Sequence, residues 1–145
     1  MKKRLRDLDK NKQSRSLTKI VIIKVLPVIA FLVAGFLLVP YGSMYFQNNK
    51  VANVNTKAEA ILFYNANCPH CQKVYPKIFW HNVLNFNNES KQIQTINVQN
   101  TNNKHYLADF AIQATPTFMK TTNIDQRLVS TNSQQIKQFI QTRGH

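Results

Sequence analysis

The chain carries two cysteines in 145 residues, Cys68 and Cys71, separated by Pro69 and His70. A structural disulfide framework needs more cysteines, spread along the chain. A closely spaced pair is instead a redox or metal unit. Zinc is disfavoured, because there is neither a second Cys-x-x-Cys nor a His-x₃₋₅-His pair. Haem attachment needs His directly after the second cysteine, and that residue is Gln72. Thiol–disulfide chemistry is what this pair fits best. If Cys68 opens a helix, unpaired backbone N–H groups and the positive end of the helix dipole converge on its sulfur and favour a thiolate. Cys68 is then the attacking nucleophile. Cys71, one turn further in, is expected to be more buried and to resolve the mixed disulfide. His70 adds a positive charge or a donor near Cys68, and Pro69 fits the first helical turn, where its missing N–H costs nothing. A stabilised thiolate makes the disulfide form the stronger oxidant. No cofactor is expected beyond this redox-active pair, and no metal.

The elements that must position the pair follow from periodicity. Ala60 to Tyr64 is a continuous apolar run, as in a buried central strand. Cys68 to about Asn85 reads as a helix, with Cys71, Val74, Tyr75, Ile78, Phe79 and Val83 on one face and a kink expected at Pro76. Gln92 to Val98 alternates as a strand. Asn103 to Ile112 reads as a shorter helix. Thr117–Lys120 and Arg127–Ser130 read as a strand pair around a turn at Thr121–Asp125. Ser133 to Arg143 reads as a last helix, capped by Ser133, with Ile136, Phe139 and Ile140 buried. The order is β-α-β-α-β-β-α, an α/β architecture that starts with a parallel crossover and ends on an antiparallel pair.

The net charge of +13 would fit nucleic acid, but its distribution does not. Eight basic residues against two acidic ones fall in the first nineteen positions, directly before the apolar run Ile20–Val39. That is a topology signal. Twenty helical residues reach about 30 Å, one hydrocarbon core. Lys24 can snorkel to the headgroups, and Tyr41, Tyr45 and Phe46 suit an interfacial belt. A cleaved signal peptide would have a shorter apolar region and a small-residue cleavage site, and neither is found here. The expected organisation is a basic cytoplasmic tail at 1–19, a transmembrane anchor at 20–41, a polar linker at 42–57 and an extracytoplasmic domain at 58–145. Nucleic acid is not an expected partner, since no recognisable motif is present. Lys73, Lys77, Lys91 and Lys104 read as a solvated basic face, and His81, His105 and His145 as surface or helix-end residues.

Residues 58–143 resemble the thioredoxin superfamily. The resemblance rests on the aromatic-ended strand leading to Cys68, on Cys68-Pro69-His70-Cys71, on Pro76 in the helix, and on Thr115-Pro116-Thr117 before a strand. It implies a cis Pro116 beside the cysteines and a Thr115 backbone that pairs with an extended substrate segment. The Pro-His dipeptide is that of the oxidising DsbA-type branch, whose type member lies near about −120 mV against about −270 mV for thioredoxin. The small anchored domain is similar to compact Gram-positive thiol–disulfide oxidoreductases, including bacteriocin accessory proteins. On this resemblance the protein forms or exchanges disulfides in exported Cys-containing proteins or peptides, and a membrane partner reoxidises the pair. A tethered reductase and a non-catalytic accessory domain are the alternatives.

Three residues depart from the family pattern. Leu62 stands where the family often buries an acid behind the second cysteine, so resolution would be slower or would use water or Lys77. Asn67 replaces a common tryptophan. With no glycine in the domain before Gly144, the turn after the Pro116 strand must be built from Thr122 and Asn123.

Overall fold

The apolar run at Ala60–Tyr64 forms the central strand β1, and all five of its residues are buried. The computed structural model describes residues 19, 21–47 and 50–142. The basic tail apart from Lys19, and the helix end at Arg143, lie outside the described residues. After β1 come α2 (Pro69–Leu84), β2 (Ile93–Asn97), α3 (His105–Asp109), β3 (Thr117–Lys120), β4 (Arg127–Val129) and α4 (Ser133–Gln141), with α1 (Leu26–Phe46) preceding them all. The sheet order is β2-β1-β3-β4. β1 runs parallel to β2 and antiparallel to β3, with Leu62 opposite both Thr95 and Phe118. β4 pairs antiparallel with β3.

This arrangement explains why β1 shows no polar alternation. Ala60, Leu62 and Tyr64 pack with Val74, Tyr75 and Ile78 of α2 and with Ile136 and Ile140 of α4. Ile61 and Phe63 face the opposite way, with Ile96, Ile112 and Met119, and Tyr106 and Phe110 pack against them. A strand covered on both sides must be apolar on both sides.

Two local expectations differ from the structure. The α4 cap is Asn132, not Ser133: its side chain accepts from Gln134 N at 2.8 Å and Gln135 N at 3.3 Å. Asn and Ser are equally good caps, so composition alone did not separate them. The helix expected over Asn103–Ile112 shortens to His105–Asp109, preceded by a 3₁₀ turn at Thr101–Asn103. Asn103 is buried, and its amide donates to Lys50 O and Asn97 O while accepting from Ala52 N, so it serves as a bridge between segments. The β3–β4 turn is built on Asn123, whose Oδ1 accepts from Asp125 N at 3.0 Å, with ordinary backbone angles. Among described residues the left-handed conformation falls instead on Ala111, with φ 47°, just after α3.

Among the described residues, one N-terminal helix is long and apolar enough to cross a membrane, at Ile22–Phe46, 25 residues that reach about 37 Å. It begins with a π-helical turn at Val21–Val25. The helix runs past the expected anchor end at residue 41. From Pro40 onward the chain belongs to the same compact unit as the sheet. The expected polar linker at 42–57 is therefore not a free tether. Met44 is fully buried in the cluster that contains Tyr64 and Cys71. Further along, Tyr106 OH donates to Ala52 O at 2.6 Å, and Gln94 Oε1 accepts from Asn55 N at 2.7 Å. The polarity of this stretch conceals main-chain groups that Asn and Gln side chains of the domain bind.

Candidate active site

The site is built at the junction of β1 and α2. The loop after β1 is folded by Asn65, whose Oδ1 accepts from Asn67 N at 2.8 Å and whose carbonyl accepts from Cys68 N at 3.0 Å. Asn67 itself is exposed. Cys68 is the N-cap of α2, with extended backbone angles, and Pro69 occupies the first helical turn. Gln72 Nε2 donates to Ala66 O at 2.9 Å and to Tyr45 OH at 3.3 Å, so the residue after the second cysteine clamps the loop before the first. α2 continues through Pro76.

The two cysteines are free of any disulfide. Cys68 is half-buried and Cys71 is buried. The Cys68 thiol donates to Thr115 O at 3.6 Å, and Asn65 N donates to Cys71 Sγ at 3.5 Å. The Thr115–Pro116 peptide is cis, and Pro116 is buried. Cys68, Cys71, Pro69, Thr115 and Pro116 thus come together. His70 contributes through its backbone N–H toward Cys68, while its ring lies exposed.

The electrostatics divide the pair. Burial opposes charge on Cys68, but the backbone N–H and thiol of Cys71, the backbone N–H of His70 and the Thr115 side chain outweigh it and draw its pKa down. Cys71 is pushed up to about 11, first by burial and then by the neighbouring Cys68, against hydrogen bonding from Asn65 and Thr115. The Thr115 side chain serves both sulfurs, a role that sequence reasoning gave only to its backbone. Alkylation should follow this order. Iodoacetamide at neutral pH is expected to label Cys68 first, with mass spectrometry finding Cys71 modified in intact protein only as pH approaches about 11. Equal labelling of both at pH 7 would contradict the division. In terms of stability, the lowered Cys68 favours the folded state above its unfolded value, and this gain is lost as pH falls through its folded pKa. The raised Cys71 does the reverse, weakening the fold as pH climbs from the unfolded thiol value toward about 11.

Among the described residues, the buried cluster that holds Cys71 contains no acid. Leu62 is fully buried in the same cluster. Tyr64 lies in that cluster too, but burial, Tyr75 and Cys71 hold its phenol strongly protonated, so it is no base. Lys77 donates to Ser133 Oγ. Trp80 is half-buried and packs edge-on against Phe79 at 5.1 Å. His81 Nε2 meets Lys91 O at 2.8 Å, and His105 faces Asp109 at 3.9 Å. Among the described residues, no three His, Cys, Asp or Glu side chains gather in a group that could hold a metal.

A family model for thioredoxin matches residues 43–142. The chain belongs to the thioredoxin family. Neither a curated protein nor a solved structure matches it. The family match begins at Ser43, which agrees with the burial of Met44 and places the family domain well upstream of the expected boundary at 58. A thiol–disulfide oxidoreductase-like function accords with the family and with the two adjacent cysteines of this thioredoxin domain.

Proposed function

We propose that this thioredoxin-family chain is a membrane-anchored thiol–disulfide oxidoreductase that forms or exchanges disulfides in exported Cys-containing proteins or peptides. The observation that carries the reading is the unequal pair: a Cys68 thiol drawn down at the start of α2 and a Cys71 thiol held up behind it, both beside Thr115-Pro116. In the oxidising direction a substrate thiolate attacks Cys68 Sγ of the disulfide form, and Cys71 leaves with the electron pair and takes up a proton. A second substrate thiolate then attacks the substrate sulfur of the mixed disulfide and releases Cys68 as thiolate. The substrate loses two electrons and the pair gains them. Thr115 O accepts from the Cys68 thiol at 3.6 Å, and an ionised Cys68 has no proton to give, which leaves that carbonyl open to a substrate N–H.

The apolar helix at Ile22–Phe46 and the basic residues before it support a single-pass topology with the N-terminus cytoplasmic and the domain outside. The Pro-His dipeptide supports the oxidising, DsbA-type branch, and the small anchored domain suits a bacteriocin-accessory role. A membrane partner would then reoxidise the pair. Equilibration of the detergent-solubilised full chain against glutathione buffers at pH 7 tests the direction. The expected potential lies nearer about −120 mV than about −270 mV. A value at the thioredoxin end would replace this reading with a tethered reductase.

A further inference from the structure

Gln72 holds the two carbonyls that flank Asn67, in the loop that delivers the nucleophile. Its backbone N–H donates to Cys68 O at 3.0 Å, and its side-chain Nε2 donates to Ala66 O at 2.9 Å. Ala66 is fully buried, so its carbonyl needs a partner from the protein. The same Nε2 also donates to Tyr45 OH at 3.3 Å, which uses both hydrogens of the amide. Asn65 secures the loop separately, through Asn67 N and Cys68 N. Cys68 is thus delivered to the start of α2 by two clamps, and the Gln72 clamp reaches back to the end of α1.

Tyr45 is exposed, and a lone hydrogen bond from an exposed hydroxyl is a weak support. Its neighbours in sequence change that. Met44 is fully buried, and Ser43 Oγ lies 3.1 Å from Tyr75 OH. Gln47 Oε1 accepts from Tyr64 OH at 3.1 Å and from Thr95 Oγ1 at 3.0 Å. These contacts seat residues 43–47 against α2, β1 and β2, so the Tyr45 hydroxyl stands at a fixed place beside Gln72.

We propose that Gln72 and Tyr45 are positioning residues of the redox centre: Gln72 fixes the loop that aims Cys68, and Tyr45 fixes Gln72 from the end of α1. Both act through the main chain of residues 66–68. The Cys68 thiolate depends on the N–H groups of His70 and Cys71, and hydrogen bonds weaken steeply as their angles degrade. Releasing the loop weakens those bonds, disfavours the thiolate and makes the disulfide form a weaker oxidant. The inference rests on the exchange reading of the cysteine pair.

The test uses the full chain in detergent micelles, equilibrated with glutathione at pH 7. The Cys68 thiolate attacks oxidised glutathione, and one glutathione leaves as a thiol. Cys71 then attacks Cys68 Sγ and displaces the second, so the pair loses two electrons and two glutathione thiols form. Gln72→Met keeps the side-chain length and removes both donors. It is expected to favour the disulfide form about tenfold relative to the parent, and to move iodoacetamide labelling of Cys68 to higher pH. Tyr45→Phe removes only a hydroxyl, and should shift both readouts in the same direction, the equilibrium by about threefold, with an unchanged urea midpoint. Added to Gln72→Met it should do nothing more, because Tyr45 acts through Gln72. The proposal is overturned if Tyr45→Phe moves neither readout, or if the two shifts multiply in the double variant. A lowered urea midpoint in Gln72→Met, with equilibrium and labelling profile unmoved, would also overturn it and leave Gln72 a purely structural residue. If the parent forms no Cys68–Cys71 disulfide in any glutathione buffer, the exchange reading fails instead, and the labelling profiles still decide the positioning roles.

Discussion

Cys68→Ser is expected to abolish disulfide transfer, with a loss of at least about a thousandfold measured on a reduced test protein. An alcohol neither ionises near neutral pH nor forms a disulfide, so no residual route through position 68 survives. Cys71 cannot substitute for it. It is buried, and its thiol stays protonated until about pH 11. Cys71→Ser should behave differently. It leaves the half-buried Cys68 nucleophile in place and removes the resolving sulfur, so covalent mixed disulfides should accumulate on a non-reducing gel. Cys71→Ala, which removes the side-chain donor altogether, should move the alkylation profile of Cys68 to higher pH. Full turnover in both variants would remove the cysteine pair from the chemistry altogether.

The readable parts of this site share a physical property: each depends on neighbours in sequence. Cys68, Pro69 and Cys71 lie within one helical turn, so helix-end geometry dictates their inequality before any tertiary contact is known. The sheet was legible for a similar reason, because β1 is apolar on both faces, a pattern that burial imposes directly. Features that rely on distant partners were not. Met44 lies in a polar stretch, and its burial depends on Tyr64 and Tyr75 meeting it across the chain. Asn103 reads as a helix start until Lys50 and Ala52 reach its amide. A pattern of Asn and Gln residues carries no periodic signal, since their hydrogen bonds reach main-chain groups at any separation.

Met44→Ala should cost about 2–5 kcal/mol of stability, the range for truncating a fully buried Met, Leu or Ile side chain. The site makes the upper half of that range the expectation. Met44 is fully buried, and its own carbonyl accepts from Tyr64 OH at 3.1 Å. Next to it, Ser43 Oγ lies 3.1 Å from Tyr75 OH, and Gln47 Oε1 accepts from both Tyr64 OH at 3.1 Å and Thr95 Oγ1 at 3.0 Å. Tyr64 and Tyr75 pack with ring centroids 4.8 Å apart in the cluster that holds Cys71. Loosening this segment therefore affects the packing around the resolving sulfur as well as the fold. Met44→Leu, which roughly conserves volume, should cost less than about 1.5 kcal/mol and keep the Cys71 environment. Urea titration of the two variants of the full chain in one detergent reads the contrast, with no domain boundary to choose. A soluble form beginning at residue 51 would lack Met44, Ser43 and Gln47 together, and would leave two buried phenols without these partners. It should unfold at lower urea than Met44→Ala itself. If Met44→Ala and Met44→Leu unfold at the same urea concentration as the parent, the end of the apolar helix is not part of the domain core.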